Sequence, residues 1–252
     1  IYNPLVLKWF TKVWQIENQL NYFYSFYNDL NKFLKNKFLF DVGIYKFLKT
    51  AYDQNNWLTK SSSSDRHKFM SMELFKIDNN GLANNKFYGF VKCSGRVNVK
   101  VLLESFRSYC INKKILIEDD FNYDDLIINK NSVNFNGIKA KKIIFCEGPA
   151  VINNPYFNNL NLKPTKGEIL TIYSKNLNIK EIIHSEFLFV PLGKNYYSIG
   201  ATYDWKNINT LSTSEAKHKI ISMLDNLLTC SYDIVNQRAG IRPSTADRRA
   251  LI

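Results

Sequence analysis

Arg238-Ala239-Gly240-Ile241-Arg242-Pro243-Ser244-Thr245-Ala246-Asp247-Arg248-Arg249 is the stretch around which the rest of the chain can be read. Four arginines crowd into it. Gly240 lets the backbone turn or pass close to something large. Pro243 fixes its own φ and pushes Arg242 towards an extended conformation. An extended arginine beside a glycine presents a rigid, five-donor fork suited to a carboxylate or a phosphate. Alone, the stretch reads equally as a basic surface loop with a turn, because arginine is mostly a surface residue.

The totals narrow the choice. The chain has 252 residues, 45% hydrophobic and 15% aromatic, which is enough for one large domain or two interleaved ones with a substantial core. The net charge of +12 favours anionic partners. The lysines, however, are scattered among asparagines along the whole chain and form no stripe, which argues against nucleic acid as the partner. Cys93, Cys110, Cys146 and Cys230 form no C-x-x-C pair and stand apart from His67, His184 and His218. That spacing argues against a metal site and for reduced, buried thiols in a cytoplasmic protein. No apolar run approaches the ~20 residues of a membrane span, and no signal peptide is present. The start at Ile1 and the end at Ile252 within a strand-like run read as a fragment.

Outward from the arginine stretch, periodicity sets an order of elements. Aromatic and aliphatic residues from Tyr22 to Leu34 recur at three- and four-residue steps, which predicts a helix from about Asn18 to Asn36 with a core-packing aromatic face. Phe38–Lys46 reads as a strand, Phe47–Leu58 as a short helix, Ser61–Ser64 as a loop and Phe87–Cys93 as a strand. Asn98 is an N-cap for a helix carrying Val99, Leu102, Leu103, Phe106 and Cys110. Lys114–Glu118 follows as a short apolar strand, half of a parallel crossover. Asp124–Phe135 reads as two strands or a meander, and Asn136-Gly137 as a hairpin turn. An apolar strand then ends at Cys146, with Gly148 behind it, where an α/β sheet admits a ligand. Lys166–Tyr173, Glu186–Pro191 and Tyr196–Thr202 read as strands of an antiparallel sheet with one covered face. Ser212-Thr213-Ser214-Glu215 reads as a capping box that opens a helix through Leu228.

The run Ala239-Gly240-Ile241-Arg242-Pro243 with Thr245, Asp247 and Arg248 resembles the G-[IL]-R-P…D-R signature of the D-amino-acid oxidase/glycine oxidase/sarcosine oxidase superfamily. Ile143–Gly148 resembles its strand-then-glycine element, and Lys166-Gly167-Glu168-Ile169-Leu170 its R/K-G-[EQ] strand. Pro191 followed by Tyr197–Thr202 resembles its P…IG-x-T hairpin, and Asn3-Pro4 the segment after its second flavin-contacting loop. These motifs fall in order across nearly the whole chain. The resemblance implies an α/β (α+β) fold: a partial FAD-binding Rossmann-like domain (1–36, 94–150 and 235–252) interleaved with an antiparallel or mixed-sheet substrate domain (37–93 and 151–234). No G-x-G-x-x-G occurs, so on this resemblance the chain lacks the family's opening FAD-phosphate cradle and its closing flavin-binding segment.

The resemblance further implies FAD as cofactor and a small amine or amino acid as substrate, oxidised at its C–N bond. Arg242 takes the position of the arginine that clamps the substrate carboxylate, and Asn3 that of a polar residue beside the substrate. Ile1 aligns with an apolar residue against the flavin. Asp120, Cys146, Glu147 and Gly148 align with backbone that touches the adenosine half of FAD. Where amino-acid oxidases carry a tyrosine before the hairpin proline, this chain has Phe187, Leu188 and Phe189, with His184 nearby. Where sarcosine-oxidase-like members carry a lysine, Tyr197 and Ser198 stand. Two alternatives accompany the main reading: oxidation of a modified tRNA base, and a binding module that kept the fold without the chemistry.

Overall fold

The computed structural model describes residues 1–77, 81–83 and 86–246. Asp247, Arg248 and Arg249 of the arginine-rich stretch lie outside the described residues. In chain order the elements are β1 (Leu5–Val6), β2 (Thr11–Lys12), α1 (Ile16–Phe33), β3 (Leu39–Phe40), β4 (Ile44–Leu48), α2 (Ala51–Ser61), β5 (Met70–Phe75), β6 (Phe87–Val91), β7 (Arg96–Val97) and α3 (Val99–Asn112). They continue with β8 (Leu126–Asn129), β9 (Ser132–Phe135), β10 (Ile138–Ala140), β11 (Thr165–Tyr173), β12 (Ile182–His184), β13 (Leu188–Gly193), β14 (Tyr196–Gly200), α4 (Ser214–Leu227) and β15 (Asp233–Arg242). The chain forms two compact units: Ile1–Leu116, Ile169–Ala201 and Thr213–Gln237 make one, and Ile117–Glu168, Thr202–Ser212 and the residues from Arg238 make the other. Residues 1–36 and 94–116 thus fall in the first unit together with 37–93.

The first unit is built on a mixed sheet of order β15-β11-β14-β13-β12-β4-β6-β5. β12 pairs parallel with β4, in the register Ile182↔Ile44, Ile183↔Tyr45 and His184↔Lys46. Its strands alternate between two cores, because successive side chains point to opposite faces. Ile183 and Phe189 face the cluster that contains Ile220, Leu224 and Leu227 of α4. Ile182 and Val190 face the cluster that contains Trp57 of α2, together with Leu5 and Phe10. Both faces are therefore covered, where the strand pattern alone predicted one. The α4 start also shifts: Thr213 is the N-cap, its Oγ1 accepting from Ala216 N at 3.3 Å, so Glu215 falls one residue short of the capping-box position. Asn98 caps α3 as expected, through Val101 N. The aromatic face of α1 departs from expectation. Only Ile16 and Leu20 are buried, while Tyr22 is 74% exposed and pairs with Phe26 in a surface stack.

In the second unit β8, β9 and β10 form an antiparallel meander. Asn136 and Gly137 take positive φ values of 47° and 84°, the two left-handed residues of the hairpin turn that their sequence signals. Two predicted strands do not form. Residues 115–120 and 142–147 have no strand pairing among the described residues, and Ile117 and Ile144 are 66% and 83% exposed. The reason is that an apolar run becomes a strand only when a neighbour takes its main-chain hydrogen bonds. Residues just after the first segment nonetheless reach the second by side chains. Phe121 meets Phe145 edge-on at 5.7 Å, and the Tyr123 hydroxyl donates to the Glu147 carboxylate.

Candidate active site

Arg238–Arg242, which read equally as a fork or as part of a basic surface loop, forms the end of a ten-residue strand, β15, which closes at Arg242. Pro243 has no N–H to continue the ladder and ends it. The main chain beyond is anchored by Lys163 N donating to Ser244 O at 2.7 Å. Extension carries the half-buried Arg242 side chain across Lys166-Gly167-Glu168, the first half of β11.

Gly167 explains itself at this crossing. A Cβ there would stand 2.2 Å from Arg242 Nη2, 2.6 Å from Cζ and 2.7 Å from Nη1. No side chain can occupy position 167 while the guanidinium stays in place. The arginine lies over Tyr203, its Cζ 4.6 Å from the ring centroid, a cation–π contact. Nη1 and Nη2 each donate to Thr202 O at 3.4 Å, beyond the usual range, so the grip is weak. Of the five guanidinium N–H groups, three are left for another acceptor. Among the described residues no carboxylate lies within ion-pairing distance of Arg242. Tyr203 stacks in turn on Trp205, 5.7 Å between centroids, and both rings are about two-thirds exposed. The result is a polarised fork beside an aromatic wall.

Beneath this surface the floor is fixed by charge. Lys166 and Glu168 are 1% and 3% exposed and pair at 3.3 Å. Lys166 Nζ also donates to Asn209 Oδ1 at 3.1 Å, and the same oxygen accepts from Leu211 N. Main-chain bonds tie the segment to 202–204: Lys166 with Asp204 in both directions, Thr202 N to Glu168 O, and Glu168 N to Thr202 Oγ1. Asp204 closes the following turn by accepting from Asn207 Nδ2, Lys206 N and Asn207 N, and these bonds hold its carboxyl below the ordinary aspartate range. A buried ammonium and carboxylate add little net stability, but they are costly to separate. They set the level at which Gly167 meets Arg242.

The other predicted residues divide between the units. Cys146, Glu147, Gly148 and Asp120 share the second unit with Arg242. Cys146 is an exposed free thiol. The Glu147 carboxylate is held by Tyr123 and by Asn154 Nδ2 at 2.8 Å, and its main-chain carbonyl accepts from Ala150 N at 3.2 Å. Gly148 takes φ +58°, with nothing within 4 Å of where a Cβ would stand. Asp120 N donates to Asp119 Oδ1. Ile1 and Asn3 belong to the first unit. Ile1 is 51% exposed, and Asn3 Oδ1 accepts from Leu5 N at 2.9 Å in a local turn. His184 is also in the first unit; its Nδ1 is buried without a hydrogen-bond partner. Sequence reasoning missed Tyr203 and Trp205 as an aromatic wall and Gly167 as the arginine's passage. The signal was the pair of aromatics flanking Asp204 directly after the hairpin.

No protein-family model matches the chain. Its fold is similar to solved oxidoreductases. The structure of glycine oxidase from Bacillus cereus ATCC 14579 superposes with a TM-score of 0.74 at 17% identity, over 98% of this chain and 70% of that one. Glycine oxidase from Geobacillus kaustophilus gives 0.73 at 14% identity over 93% and 68%. Iminodiacetate oxidase from Chelativorans sp. BNC1 gives 0.70 at 13% identity over 92% and 68%. At these identities the likeness is one of fold, a mixed α/β architecture. Two of the three carry a name from the superfamily whose motifs the sequence resembles. Among the described residues no helix is long and apolar enough to cross a membrane.

Proposed function

We propose that the chain belongs to an FAD-dependent oxidoreductase that oxidises the C–N bond of an amino acid or an N-substituted glycine, with Arg242 holding the substrate carboxylate. The observation that carries this reading is the half-buried guanidinium, stacked on Tyr203, weakly held by Thr202 O and lacking an acid partner among the described residues. A partly desolvated cation in that state gains most from a bidentate anion. A carboxylate taken by two parallel N–H groups is fixed in direction, and so is the carbon attached to it. Gly167 keeps the space for this grip, and Tyr203 and Trp205 offer apolar surface to the rest of a small substrate.

Residues of the second unit fit the adenosine half of FAD. Main chain 142–147 is free of strand pairing among the described residues, and it ends at a positive-φ glycine with open space beside it. In this reading Asp120, Cys146, Glu147 and Gly148 hold adenosine by main-chain groups, while the roles of Ile1 and Asn3 rest on the sequence resemblance alone. Bound FAD would supply the two-electron acceptor for a hydride leaving the carbon next to nitrogen. The chain's own contribution is binding, orientation and exclusion of water. An amine that binds neutral needs no side-chain base for that step, and the imine product is hydrolysed by water.

The test uses the protein supplied with FAD and a panel of amino acids and N-substituted glycines, scored by loss of flavin colour without oxygen. Arg242→Leu should raise KM for the responding substrate about 10- to 100-fold, the loss expected for a charge-assisted contact. An unchanged KM would sink the clamp. Failure of every substrate to bleach bound flavin would favour a binding module instead.

A further inference from the structure

The first unit holds a cavity of about 580 Å³ that the proposed reaction does not use. Its volume lies within the range of small-ligand sites, roughly 300–1,000 Å³. Lys8, Lys46, Lys49 and Lys86 line it, against only two acids, Asp53 and Glu186. Both acids are engaged elsewhere. Asp53 Oδ2 accepts from Thr50 N and Thr50 Oγ1 at the start of α2, and Glu186 pairs at 3.6 Å with Lys219, which is not in the wall. Among the described residues none of the four lysines has a carboxylate within ion-pairing distance.

Lys46 is the centre of this imbalance. It rises from β4, and its Nζ has a single long hydrogen bond, to Ser185 O at 3.5 Å. Burial lowers its pKa, while Asp53 acts in the opposite direction. Its register partner, His184, has its Nδ1 buried and unbonded. Burial first, and then the Lys46 ammonium, push that imidazole down to about 3, so it is neutral and adds no second positive charge beside Lys46. Lys86, also in the lining, donates to Asn226 O at 2.5 Å and lies over the Phe47 ring. The remaining lining is apolar and includes Phe10, Phe47 and Met223.

We infer that this cavity is a binding site for a small phosphate- or diphosphate-bearing molecule, its anionic group held by Lys46 and Lys86 and its organic part resting on the apolar wall. Lysine binds phosphate as a point charge, and an excess of ammonium groups in one lining suits a multiply charged anion better than a single carboxylate. A partly desolvated ammonium without a counter-ion is costly, and a bound phosphate removes that cost.

Calorimetric titration with sodium pyrophosphate at constant ionic strength tests the site, with sodium chloride as the control. Saturable binding of one pyrophosphate is expected. Lys46→Gln and Lys86→Gln should each weaken it about tenfold or more, the loss of one charge-assisted contact. Both variants replace an ammonium by a neutral amide of similar reach, and a thermal melt of each checks that the fold is retained. Arg242→Leu should leave the affinity unchanged, which separates this site from the proposed substrate clamp. Binding no stronger than in the chloride control, an unchanged affinity in either lysine variant, or loss of binding in Arg242→Leu overturns the inference.

Discussion

Replacing Gly167 by alanine places a methyl group 2.2 Å from Arg242 Nη2, well inside the 3.4–4 Å of ordinary contact. The atoms it meets are the tip of a flexible side chain, so the arginine is expected to swing away and the strand to stay. Two things are then lost: the stack on Tyr203, of the order of 0.5–1 kcal/mol, and the aim of the guanidinium, a charge-assisted contact of about 1.5–3 kcal/mol. Carboxylate binding should weaken by roughly 2–3 kcal/mol, about 30- to 150-fold in KM. Stability should move by about 1 kcal/mol or less, because alanine is the better strand residue and the lost stack is partly exposed. The assay pairs steady-state kinetics of the FAD-loaded protein with urea denaturation. The decisive comparison is a double-mutant cycle. In an Arg242→Leu background, Gly167→Ala should change KM by less than about twofold, since the group it displaces is gone. A wild-type KM in the single variant, or full additivity in the double one, refutes the proposed role of Gly167.

Lys166→Met leaves the Glu168 carboxylate, 4% exposed, without its ammonium. It should destabilise by about 3–5 kcal/mol in urea melts, with much of that recovered in Lys166→Met/Glu168→Leu; a loss under 1 kcal/mol would contradict the buried pair. For His184 the folded pKa of about 3 lies below the ordinary 6.5, so the unfolded chain binds a proton that the folded chain refuses. Stability should therefore be full above about pH 6.5 and fall, by up to ~1.4 kcal/mol per unit, as pH drops towards 3. His184→Gln should flatten that slope in pH-dependent denaturation, and an unaltered slope would rule His184 out as its source.

What could be read from sequence was what neighbours in sequence decide. Asn136-Gly137 determines its own turn, Asn98 its own cap, and the β13–β14 hairpin its own pairing. The Arg242 fork was legible because Pro243 restricts its backbone locally. What failed depended on partners distant in the chain. Ile115–Ile117 and Ile143–Cys146 have strand-like composition but no paired neighbour among the described residues. The α1 aromatics have helical spacing but an exposed face. Gly167 was visible as part of a motif, yet its reason lies in a side chain 75 positions away. The buried Lys166 is a similar case, since a lysine beside a glycine looks like surface until the segment 202–209 closes over it.

The chain passes between its two units after residues 116, 168, 201, 212 and 237, and two of those passages fall inside β11 and β15. Neither unit is therefore a contiguous piece of gene. A truncation that spares one must remove strand residues from the other, and no single protease cut between elements can release either whole. Insertions and tags are accordingly safest in turns that stay within one unit, such as Asn136-Gly137 or Lys194-Asn195, where the backbone already reverses and no passage is interrupted.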